Sequence, residues 1–75
     1  MWTKITDCGK QLIIHSKIRE LAGDQVNVYT IVAIEFDQYK VELIETKQPT
    51  TAEKLQQTLN CTQLLQHGFE IETGD

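Results

Sequence analysis

From Val26 the apolar positions recur at every second residue: Val26, Val28, Val32, Ile34 and Phe36 share one parity, with Thr30 the single polar member. Tyr39, Val41 and Leu43 repeat the pattern against Lys40 and Glu42. Strand side chains point alternately to opposite faces, and β-branched residues suit a half-buried sheet, so residues 26–45 are predicted to form a β-hairpin. With Asp37 and Gln38 as a two-residue loop, Phe36 falls opposite Tyr39, Ile34 opposite Val41 and Val32 opposite Leu43. Glu35 then meets Lys40 on the other face. Glutamine is a poor residue for the positive φ of a tight hairpin turn, which leaves a longer loop open.

An earlier strand is expected over residues 11–20, with Leu12, Ile14 and Ile18 on one face and His15, Lys17 and Arg19 on the other. A two-residue Gly23-Asp24 turn would set Ile18 against Tyr29 and mismatch the faces assigned above. A three-residue loop sets Ile18 against Val28 and Ile14 against Val32, and this is the preferred register, with a bulge.

After Gln48-Pro49 the period changes. Thr50-Thr51-Ala52-Glu53 reads as a capping box opening a helix with an apolar stripe of Ala52, Leu55 and Leu59. Leu64 and Leu65 are out of phase with that stripe, so a break is expected near residues 60–62, followed by a short turn capped by Thr62 and ended at Gly68. Residues 69–72 alternate again and suit a further strand along a sheet edge. The elements predict one α+β domain over residues 1–75: a three- to four-stranded antiparallel meander with one helical segment packed on one face, in the order β-β-β-α-(β).

Size and charge narrow the function. A chain of 75 residues buries only a modest core, so a deep enclosed active site is not expected. The net charge of −4 is uneven: residues 1–34 carry four basic and three acidic side chains, residues 35–75 three basic and eight acidic. Nucleic-acid binding needs clustered lysine and arginine, which are missing here, whereas an acidic surface suits a basic protein partner. The longest apolar run, Leu12-Ile13-Ile14, is far short of a membrane span or a secretory signal, so a cytoplasmic location is expected.

No catalytic or metal-binding pattern emerges. Cys8, His15, Cys61 and His67 lack the close pairing of structural zinc ligands. Two cysteines without a secretion signal read as free thiols, Cys61 as a buried small hydrophobe and Cys8 as a surface thiol, with a Cys8–Cys61 bridge as the alternative. His67, just before Gly68, suits the C-terminal end of a helical turn. The alternating carboxylates Glu35, Asp37, Glu42, Glu45, Glu70 and Glu72 read as a solvated face. No cofactor is implied.

The functional expectation rests on the sheet face opposite the helix. In the preferred registers Ile13, His15, Tyr29, Ile31, Ala33 and Ile44 share it, with charged residues of both signs around them. An apolar centre with a polar rim is the layout of a partner surface or a homodimer seam. Trp2 is costly to leave in water and either covers that face or joins the contact. The candidate partner-binding residues are therefore Ile13, His15, Tyr29, Ile31, Ile44 and Trp2. The expected function is a small acidic, non-enzymatic protein–protein interaction module that regulates or inhibits a larger partner, of the kind encoded by phages and mobile elements. The alternative is a homo-oligomer that binds a small molecule between subunits.

Overall fold

A computed structural model describes residues 1–23, 25–47 and 55–74. Among them six strands and two short helices follow in the order β1 (Trp2–Lys4), α1 (Cys8–Gln11), β2 (Lys17–Ala22), β3 (Gln25–Glu35), β4 (Gln38–Glu45), β5 (Gln56–Asn60), α2 (Cys61–Gln66) and β6 (Glu70–Glu72). The strands make one antiparallel sheet in the order β1-β6-β2-β3-β4-β5. This corrects the expected three- to four-stranded meander with a packed helix: the described residues are mostly sheet, and their two helices are short connectors of four and six residues.

The hairpin over residues 26–45 forms, but its faces are exchanged along half its length. The loop is Phe36–Asp37, not Asp37–Gln38, because Glu35 pairs with Gln38 and Ile34 with Tyr39. Register shifts at Val28/Tyr29 and at Ile31/Ala33 let Ile31 pair with Val41 and Tyr29 with Leu43. A bulge adds one residue to one strand and reverses the alternation beyond it. Tyr29 and Ile31 thus lie on the buried side together with Ile34, while Val32 and Phe36 are exposed.

The same exchange selects the β2–β3 register. Ile18 pairs with Tyr29 and Ala22 with Gln25, which is the register set aside above, with Gly23 at φ +62°. Once Tyr29 faces inward, the apparent mismatch with Ile18 becomes a core pair. The expected strand over residues 11–20 is only half present. Its first part is α1 and a loop, in which the Gln11 Oε1 accepts the Thr6 and Asp7 amides, both at 2.7 Å.

The helix expected after Pro49 gives way to β5 at Gln56, which pairs with Glu42, and Leu59 faces Tyr39 on the neighbouring strand. The cap expected at Thr50 and Glu53 and the stripe position Ala52 lie outside the described residues. The break near residue 60 is present, with Asn60 as the N-cap of α2 in place of Thr62. Its side chain accepts the Gln63 amide at 2.8 Å while the Gln63 side chain accepts the Asn60 amide at 2.9 Å, a capping box. Gly68, at φ +68°, ends α2: its amide bonds to Leu65 and that of Phe69 to Leu64, a Schellman motif with Leu64 and Phe69 both in the core. The tail strand β6 lies between β1 and β2, not at an edge.

Cys8 and Cys61 are joined by a disulfide, with Cα atoms 6.0 Å apart. They are not the free thiols expected, and Cys8 is buried. The bridge ties α1 to the start of α2 and closes the core around Ile5, Leu12, Ile18, Ile31, Val41 and Leu64.

Candidate interaction surface

The six residues expected to form a partner surface do not come together. Ile31 has 0% and Tyr29 3% of its surface exposed, so the centre of the expected patch is core. Ile44 is 48% exposed on β4, four strands away from Trp2 on β1 in the sheet order. Ile13 and His15 are exposed on the loop before β2, where His15 has φ +77° and its amide donates to the Ile31 carbonyl at 2.8 Å. Trp2 is half-buried beneath the Arg19 guanidinium, 4.6 Å from its ring, and Arg19 is in turn paired with Glu70 at 2.7 Å. That stack fastens β1 to the sheet and satisfies Trp2 within the chain.

The tip of the β3–β4 hairpin is different. Phe36 is 101% exposed, and its backbone has φ +52°. A bulky residue in the left-handed region is strained by the order of 1 kcal/mol, and full exposure forgoes the ~1.5–3 kcal/mol that burying a large apolar side chain gives. Glycine or asparagine would serve the turn better. The exposed carboxylates Glu35 and Asp37 flank the ring in sequence. Beside the tip, Ala33, Glu35, Gln38, Lys40 and Thr58 line a shallow concavity of about 340 Å³.

Among the described residues the titratable groups give no second centre. Among the described residues no three His, Cys, Asp or Glu side chains gather where they could hold a metal ion. The Tyr29 phenol is pushed above its ordinary pKa of 10.0, first by burial and then by the Glu20 carboxylate, with a Gln57 hydrogen bond pulling the other way. Tyr39 is raised as well, first by burial and then by Asp37 and Asp7. Both are therefore neutral, buried core residues. His67 Nδ1 lies 3.6 Å from Glu20 at the surface end of α2. Among the described residues no helix is long and apolar enough to cross a membrane.

Phe36 escaped the sequence pattern because it continues the alternation of Val32 and Ile34. The signal against that reading is the Asp37 that follows it, a turn-favouring residue: placing the turn one residue earlier puts both residues in the loop and frees Gln38 to pair. No family model, curated protein or solved structure matches this chain.

Proposed function

We propose that this chain is a non-enzymatic interaction module that regulates or inhibits a larger protein, using the β3–β4 hairpin tip as its anchor. The observation carrying this reading is Phe36, a fully exposed aromatic ring held on a strained backbone. Neither feature contributes to the chain's own stability, so the benefit lies in a second molecule. Aromatic side chains supply large contact area at low entropic cost and commonly dominate interface energies. Glu35 and Asp37 on either side, and the net charge of −4, select for an apolar socket with a basic rim. The Cys8–Cys61 bridge suits an oxidising compartment better than the cytoplasm expected from the apolar pattern.

The test is capture of partners by the immobilised chain, compared with Phe36→Gly and with Ile44→Ser, a substitution at an exposed position away from the tip. A specific partner retained by the wild-type chain and by Ile44→Ser is expected to bind Phe36→Gly about 30-fold more weakly, as loss of a ~2 kcal/mol anchor implies. Its binding should also weaken as salt rises. Retention undiminished in Phe36→Gly would refute the assignment.

A further inference from the structure

The outer edge of β5 bears on the oligomeric state of the chain. β5 ends the sheet order, and it runs against β4 in unbroken register from Gln38↔Asn60 to Glu42↔Gln56. Its five residues, Gln56–Asn60, contain no charge and no proline. Natural edge strands are commonly blunted by a lysine, a proline, a bulge or extreme shortness, since an unprotected row of amides and carbonyls recruits another strand. The opposite edge fits that description: β1 has three residues, one of them Lys4, and its Trp2 is clamped by Arg19. Among the described residues, β5 itself carries none of these guards.

We infer that β5 is the seam of a homodimer, pairing antiparallel with β5 of a second copy about a two-fold axis at Thr58. The sequence is self-complementary in that register. Thr58 meets its own copy, Gln56 meets Asn60, and Gln57 meets Leu59. Threonine pairs and amide pairs are favourable across antiparallel strands, whereas like charges directly opposite would oppose the contact. A chain of net charge −4 therefore brings to this edge a strand on which nothing repels its copy. An exposed leucine, Leu55, immediately precedes β5 at one end of the seam. A two-fold contact of this kind closes on itself at two subunits.

The inference does not involve Phe36 and stands apart from the proposed function, although a dimer would display two hairpin tips and gain avidity for a repeated target. The experiment is light scattering on the intact, oxidised chain from micromolar to high-micromolar concentration. The expected result is twice the 8.6 kDa chain mass at the upper end. Thr58→Lys, at an exposed edge position, should raise the dissociation constant at least tenfold by setting two ammonium groups opposite each other, while Phe36→Gly leaves it unchanged. Hydrogen exchange on the wild-type chain needs no substitution: β5 amides should become more protected as concentration rises, with those of β3 unaffected. A monomer across the whole range, a dimer indifferent to Thr58→Lys in a folded variant, or a dimer broken by Phe36→Gly would each overturn the seam at β5.

Discussion

Burial decides what each apolar side chain is for, and Ile31 and Ile44 separate the two cases. Both sit on central strands, yet Ile31 is fully enclosed while Ile44 is 48% exposed. Ile31→Ala should therefore cost about 3 kcal/mol through lost transfer energy and an unfilled cavity, whereas Ile44→Ala should stay within ~1 kcal/mol. Denaturant midpoints of the two variants check this, and similar losses would contradict the core assignment. The tyrosines make a second prediction at this scale. Tyr29 and Tyr39 have raised pKa values in the fold, so their contribution to stability is complete below the unfolded value of 10.0. It declines as pH rises through the folded values, because the unfolded chain loses those protons first. Tyrosinate absorbance should lag behind that of free tyrosine as pH is raised above neutrality, and thermal stability should fall over the same alkaline range. Ordinary titration of both rings would contradict their burial.

At the scale of elements, the short helices matter as clamps. α2 has only six residues, too few to form alone, and it depends on its caps and on Leu64. Asn60→Ala removes the cap and should lower stability by about 1 kcal/mol, read from the melting curve. An unchanged melt would show that the disulfide at Cys61 alone positions the turn. The elements also show what the sequence pattern could and could not carry. The β3–β4 hairpin was legible because two runs of alternating residues face each other. Which side of it is buried was not, because a bulge between Ile31 and Ala33 inverts parity without any glycine or proline to mark it. β5 was hidden for another reason: Leu55 and Leu59 have helical spacing, and pairing with β4 overrides that weak local preference. The expected partner surface falls with the parity, since Tyr29 and Ile31 lie on the buried face. Phe36 leaves the apolar face for a related reason, because the turn falls one residue earlier than the alternation predicts.

For the whole molecule, the margin is small and the disulfide supplies much of it. A 75-residue domain buries little apolar surface, and folded domains generally hold only ~5–15 kcal/mol. Cross-linking residues 53 apart in sequence stabilises by about 4 kcal/mol in the chain-entropy model. Reduction should therefore shift the unfolding midpoint strongly, and a thiol-alkylating reagent should find no reactive cysteine without a reductant. A reduced chain as stable as the oxidised one would contradict the bridge's role. The same narrow margin gives Phe36 its meaning, because a marginal fold that keeps a strained, solvated aromatic ring is forgoing stability it could have. The most direct test of that claim is thermal unfolding of Phe36→Gly beside the wild-type chain. Relief of the positive φ should outweigh glycine's unfolded-state entropy and raise stability by up to about 1 kcal/mol, several degrees for a domain of this size. A melting temperature that falls instead would show that Phe36 supports its own fold, and would contradict its assignment as an anchor for a partner.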